Sequence, residues 1–187
     1  FGGIYRDVTL RYVESCHIEK VFVRTLDVLT DKPRVEIEIT IKNQGDAPRA
    51  DELGASIRDS SGVEIATADV WAQVPAHGEE TFVLSGFNLP AVTCWSLDNP
   101  TLYTANFWFG SKVKISEKPL RFGFREAVFR DDGFYLNGEK VKLRGLNRHQ
   151  TYPYLGAAAP ARLQRKDADI IKYELGCNIV RTSHYPQ

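Results

Sequence analysis

The sequence contains no methionine among its 187 residues. It therefore lacks an initiator residue, and Phe1 is expected to be internal to a longer protein. Cysteine is scarce: Cys16, Cys94 and Cys177 form an odd, scattered set. No Cys-x-x-Cys or Cys/His spacing suggests zinc, and a chain of this size needs no disulfide framework. Cys16 and Cys94 are conceivable as an inter-sheet bridge, but nothing demands one, and no disulfide is expected. Net charge is absent too, with 24 Lys and Arg against 24 Asp and Glu. No global field thus attracts nucleic acid or an anionic membrane. No apolar run is long enough to span a bilayer, and Phe1-Gly2-Gly3 opens no signal-peptide pattern. A glycine-rich phosphate loop is missing, and the proline in Asn99-Pro100-Thr101 rules out glycosylation there. Neither a cofactor nor a metal is implied, and the compartment is not indicated.

What is present reads first as strands. In Arg34–Lys42, Val35, Ile37, Ile39 and Ile41 alternate with Glu36, Glu38 and Thr40. Period-two alternation marks a strand with one buried and one wet face. Similar runs occur at Tyr5–Tyr12, Cys16–Leu26, Ala55–Arg58, Glu64–Val70, Glu80–Phe87, Leu102–Phe109 and Lys112–Ile115. Turn chemistry separates them, as in Asp31–Pro33, Asn43–Asp46, Asp59–Gly62, Pro75–Gly78 and Asp98–Pro100. About seven short strands at this cadence predict an immunoglobulin-like β-sandwich. Its core is expected to contain Val35, Ile37, Ile39, Ile41, Val83, Leu102 and Phe107.

The character changes near residue 123. Asp132-Gly133 and Asn137-Gly138 bracket Phe134–Leu136, and the second pair is a strong two-residue hairpin signal. A return strand, Lys140–Leu143, runs on into Gly145–His149. Pro160 then precedes Ala161–Leu175, where Leu163, Ile170, Ile171 and Leu175 fall near helical spacing and Gly176 follows. Cys177–Val180 reads as a buried parallel strand. Strand, helix, strand, with Asn, Arg and His at both strand ends, is how a parallel sheet or barrel presents an active site. Two strands cannot close a barrel, so the chain is expected to be a piece of a larger enzyme.

Three blocks carry a family resemblance. They are Trp95–Tyr103; Phe122–Arg125 followed by Leu136–Lys140 and Arg144–His149; and Asn178–Pro186. In order and spacing they resemble glycoside hydrolase family 2, the family of β-galactosidases, β-glucuronidases and β-mannosidases. The β-galactosidase branch is the nearest match, through Asn147-Arg148-His149 and Tyr152-Pro153-Tyr154. The resemblance implies a sandwich over 1–122 and the start of a (β/α)8 barrel over 123–187. It also implies a retaining mechanism, in which two glutamates sit roughly 5–5.5 Å apart. The family carries both on later barrel strands, so no catalytic residue is expected here and the fragment alone is expected to be inactive.

What the resemblance does assign is pocket wall. Arg181, His184, His149 and Asn147 become candidate substrate-binding residues at the ends of the first two barrel strands. The plainer alternative has Arg148 and Arg181 satisfying backbone carbonyls and neighbouring acids. The acidic pairs Asp51-Glu52, Glu79-Glu80 and Asp131-Asp132 are read as solvated residues of turns or edges, His17 and His77 as surface or strand residues, and the tryptophans as core. A non-catalytic sandwich module for carbohydrate binding or adhesion accounts for 5–121 equally well, since fold does not determine function. It leaves 140–187 without a purpose. Apolar residues Leu143, Leu146, Ile170, Ile171, Ile179 and Val180 need cover, either from the sandwich or, preferably, from a second copy in a homo-oligomer.

Overall fold

The structure, a computed structural model, describes residues 4, 7–110 and 119–183. The chain divides into two compact units, one comprising Tyr12–Asp131 with Tyr135–Lys140, the other including Asp132–Phe134 and the residues from Val141 onward.

Among the described residues seven strands build the sandwich: β1 (Cys16–Leu26), β2 (Arg34–Asn43), β3 (Arg49–Arg58), β4 (Glu64–Val74), β5 (Glu79–Leu84), β6 (Tyr103–Phe109) and β7 (Leu120–Phe122). One sheet runs in the order β1-β2-β5 and the other in the order β4-β3-β6-β7. All the recorded pairings within them are antiparallel. The alternation of β2 does what its pattern predicts: Val35, Ile37, Ile39 and Ile41 are buried. Ile37 lies opposite Val23 and Leu84, and Ile39 opposite Val21 and Phe82. A register shift between Ile18 and Lys20 lets Ile18 join the same inner face as Val21, although three positions separate them. The core continues through Leu53, Ala55, Ile57, Ala105 and Phe107 of the second sheet.

Several expectations change here. Val83 is 51% exposed, whereas Leu84 is fully buried. The register decides this: Val83 faces Glu38 on the wet side of β2, while Phe82 and Leu84 face Ile39 and Ile37. Leu102 is half-buried just before β6, and Tyr103 takes the buried place. Val8, Leu10 and Tyr12 alternate like a strand, yet residues 7–14 form none and these side chains stay exposed. Alternation without an adjacent strand to complete the hydrogen bonds does not make a strand. The run Lys112–Ile115 lies outside the described residues.

Asp51 and Glu52 belong neither to a turn nor to an edge. They sit within β3, an inner strand, which extends well before Ala55. Each carboxylate has a partner: Asp51 Oδ2 accepts from Arg49 Nη2 at 2.8 Å, and Glu52 Oε1 accepts from the Trp108 indole at 2.9 Å. The Trp108 ring lies over Gly54, where a Cβ would stand 2.1 Å from Cζ2. Trp71 is no core residue, being 72% exposed on the edge strand β4.

The first resemblance block meets the Phe122–Arg125 and Leu136–Lys140 parts of the second. Trp95 packs on Gly123, where a Cβ would fall 2.7 Å from the Trp95 Cβ. Its amide donates to Phe124 O at 2.8 Å, and its carbonyl accepts from Asn137 Nδ2 at 2.9 Å. Phe124 is fully buried edge-on against Tyr103, with ring centroids 4.8 Å apart. Strands β8 (Ala127–Arg130), β9 (Gly133–Leu136) and β10 (Glu139–Val141) follow as a small sheet in the order β10-β9-β8. The turn between β9 and β10 uses Asn137 and Gly138 at φ 51° and 80°, the backbone that an Asn-Gly hairpin requires.

The second unit holds β11 (Gly145–Arg148), helix α1 (Ala161–Asp169) and β12 (Ile179–Thr182). The helix starts after Pro160 but does not run α-helically to Leu175; it loosens into a π turn at Ile170–Glu174 and stops at Gly176, φ 63°. β11 and β12 pair in parallel, Gly145 with Ile179 through Arg148 with Thr182. The expected burial of this region is absent: Leu143, Leu146, Ile179 and Val180 are all exposed. A parallel pair becomes buried only when further layers cover both faces. Ile170 and Ile171 are half-buried.

Two predictions test this packing. Ile39→Ala should cost about 2–5 kcal/mol, the range for emptying a core site, and Val83→Ala less than about 0.5 kcal/mol. Urea unfolding midpoints of the two variants would measure the difference, and equal losses would refute the β5 register. All three cysteines are free. Desolvation raises the thiol pKa values of Cys16 and Cys94; for Cys16 the nearby Arg49 opposes this and Glu14 adds to it. A raised value leaves less thiolate at pH 8, so both should react with Ellman's reagent more slowly than glutathione does, and faster once urea unfolds the chain.

Candidate functional site

The polar ends of β11 and β12 form the candidate site, and their register is set by a glycine and an asparagine. A Cβ on Gly145 would lie 2.0 Å from the Ile179 carbonyl oxygen, so only glycine permits this approach. Asn178 straps the two segments together. Its Oδ1 accepts from the Arg144 amide at 2.8 Å, and its Nδ2 donates to Lys142 O at 3.0 Å. Beyond the pair, Ser183 N donates to Arg148 O at 3.0 Å, which closes the far end.

Successive side chains on a strand point to opposite faces. The register therefore puts Asn147 beside Arg181 on one face. Arg181 Nη1 reaches Asn147 Oδ1 and Ser183 Oγ, each at 3.5 Å. Ser183 is buried, while Asn147 and Arg181 are exposed. Gly145, Leu146, Asn147, Ile179 and Arg181 line a shallow open cleft there. Both partners of Arg181 among the described residues are neutral, so its charge is uncompensated by them and the remaining donors of its fork can take a carboxylate or a hydroxyl.

Arg148 turns the other way, toward α1. Its Nε and Nη2 both donate to Asp167 Oδ2, at 2.9 and 2.6 Å, and Nη2 also donates to Gln164 Oε1 at 2.5 Å. The side chains of Arg148 and Asp167 are only 15% and 21% exposed. The plainer alternative thus fits Arg148, whose charge is spent on a neighbouring acid; among the described residues Arg181 has no acidic partner.

Of the four sequence-derived candidates, the structure brings Asn147 and Arg181 together. His149 follows directly after β11 and is exposed, and His184 lies outside the described residues. Gln164, Asp167, Asn178 and Ser183 had no assigned role in the sequence. Gln164 and Asp167 are three apart on a helix, the spacing that puts two side chains on one face; that spacing was the available signal. Among the described residues no group of three or more His, Cys, Asp or Glu is arranged to hold a metal ion, and no helix is long and apolar enough to cross a membrane.

Comparison with known proteins gives the family. Residues 16–125 match the family Glycosyl hydrolases family 2, and residues 128–187 match its TIM barrel domain. A β-galactosidase of Thermoanaerobacterium thermosulfurigenes is 40% identical over 187 residues, which is 100% of this chain and 26% of that protein. A putative β-glucuronidase of Formosa agariphila is 32% identical over 189 residues, 100% of this chain and 22% of its own length. Among solved structures, Bacteroides uniformis β-glucuronidase 2, covalently bound to cyclophellitol-6-carboxylate aziridine, superposes with a TM-score of 0.82 at 27% identity. It covers 94% of this chain and 22% of that one. The chain spans about a quarter of the length of the curated relatives it matches. With the family matched on both its sandwich and its barrel segment, the chain belongs to glycosyl hydrolase family 2.

Proposed function

We propose that this chain is part of a retaining glycosidase that hydrolyses terminal β-linked sugars, with β-galactosides as its substrates. Residues 1–122 serve as the sandwich frame and 123–187 as the opening segment of the catalytic barrel. The observation that carries the reading is the meeting of Asn147 and Arg181 at the C-terminal ends of a parallel strand pair, on the face away from the helix. In a barrel those strand ends are where chemistry is done. Arg181 then orients the attacking carboxylate or a sugar hydroxyl, Asn147 holds Arg181 and offers its amide to the sugar, and His149 and His184 donate to or accept from hydroxyls according to tautomer. The β-galactosidase name of the relative at 40% identity supports the choice of sugar.

Retention of configuration needs one carboxyl group to protonate the leaving oxygen and a second, roughly 5–5.5 Å away, to attack the anomeric carbon. Three acidic residues are engaged elsewhere: Asp51 with Arg49, Glu52 with Trp108, Asp167 with Arg148. The two glutamates belong to strands after β12.

The 187-residue chain should therefore give buffer-level rates on chromogenic β-galactosides and β-glucuronides. The full-length protein should hydrolyse the galactoside with retention, seen by NMR of the first-formed anomer. In that protein Arg181→Ala or His184→Ala should lower kcat/KM by about 1–3 kcal/mol, the cost of losing a charge-assisted hydrogen bond. Saturable turnover by the short chain, or full activity in both variants, would refute the assignment. We also read the exposed Leu146, Ile179 and Val180 as covered by a second copy when the chain stands alone. Light scattering should then report a mass above the 21.1 kDa of one chain; a monomer at high concentration would exclude the pairing.

A further inference from the structure

The loop between β11 and α1 has its two ends tied to the same side chain. Arg148 is the last residue before it and Ala159 nearly the last, followed only by the helix-capping Pro160. Gln164 joins them: its Oε1 accepts from Arg148 Nη2 at 2.5 Å, and its Nε2 donates to the carbonyl of buried Ala159 at 3.0 Å. Asp167, one helical turn on, takes both remaining bonds from the guanidinium. Within the loop a second tie holds a narrow turn, since Tyr152 N donates to Gly156 O at 2.9 Å and Gly156 N to Tyr152 O at 2.8 Å. That turn keeps Tyr154 at φ 66°, a backbone state that non-glycine residues keep only when their surroundings enforce it.

We propose that Arg148 is a positioning residue: through Gln164 and Asp167 it clamps the stem of the loop 149–158, and so fixes His149 and its neighbour Asn147 where the sugar binds. The role rests on the glycosidase reading only in what is positioned; the clamp itself rests on the bonds above. Arginine is required because a planar fork serves two acceptors at once, whereas lysine offers a point charge that satisfies one of them. The clamp also explains why adjacent residues of one motif have different duties. Strand alternation sends Arg148 to the helix while Asn147, one residue earlier, faces the cleft.

Two measurements test the proposal. In the 187-residue chain, chymotrypsin cleavage after Tyr154 should accelerate about tenfold or more in Arg148→Ala and Asp167→Asn, because cleavage tracks local opening of the loop. Arg148→Lys should fall between them and the parent chain, and sandwich unfolding should stay unchanged. In the full-length protein, Arg148→Ala should lower kcat about tenfold with KM within about twofold, the signature of lost transition-state alignment rather than lost binding. Unchanged cleavage would overturn the clamp. Faster cleavage with unchanged kcat in an active parent would overturn the positioning role. A full-length wild type inert on β-glycosides would sink the glycosidase reading instead, and the cleavage rates alone would then judge the clamp.

Discussion

The contact between Gly145 and the Ile179 backbone is the constraint on which the polar end of this chain depends. A β-register slip of one residue moves every side chain to the opposite face. Here that slip would send Asn147 to the helix and Arg148 into the cleft, away from Asp167. Two features forbid it: the close approach that only glycine tolerates, and the Asn178 amide, which bonds the backbone at both Lys142 and Arg144. Neither is a large energy by itself, since a hydrogen bond contributes about 1 kcal/mol net. Their value is discrimination between two pairings that differ by one residue.

The sandwich solves the same problem differently. Its registers follow from burial, because β2 carries four apolar residues on one face and charges on the other. That is why the inner face of β2 was legible in the sequence and that of β5 was not. Thr81–Leu84 contains three consecutive large residues whose own pattern gives no inward choice; only the pairing with β2 selects Phe82 and Leu84 over Val83. The early part of β3 was hidden for a related reason. Asp51 and Glu52 look like turn residues until Arg49 and Trp108 are seen to satisfy them. Trp71 is a third case, since nothing in its neighbourhood of sequence says that β4 is an edge.

The parallel arrangement of β11 and β12 was also readable, from two short apolar runs separated by a helical pattern. The burial of those strands was not, because burial belongs to the layers around a sheet and not to the strand. Motif recognition located the candidate site but treated neighbouring polar residues alike. Separating them needed the register and the helix contacts, which no spacing along the chain encodes.

Arg148 and Arg181 show what that separation means chemically. Both are arginines at the ends of paired strands, and both carry a permanent charge. Arg148 is partly buried against Asp167, so its charge is matched and its Nε and Nη2 are both engaged. Arg181 is exposed and, among the described residues, meets only the neutral oxygens of Asn147 and Ser183, at 3.5 Å, the long limit for a hydrogen bond. A cation held loosely by neutral dipoles gains more from an incoming carboxylate than one already paired, because it has no ion pair to give up first. The same fork that is structural on one face is thus left open to a ligand on the other, and one residue of strand alternation decides which is which.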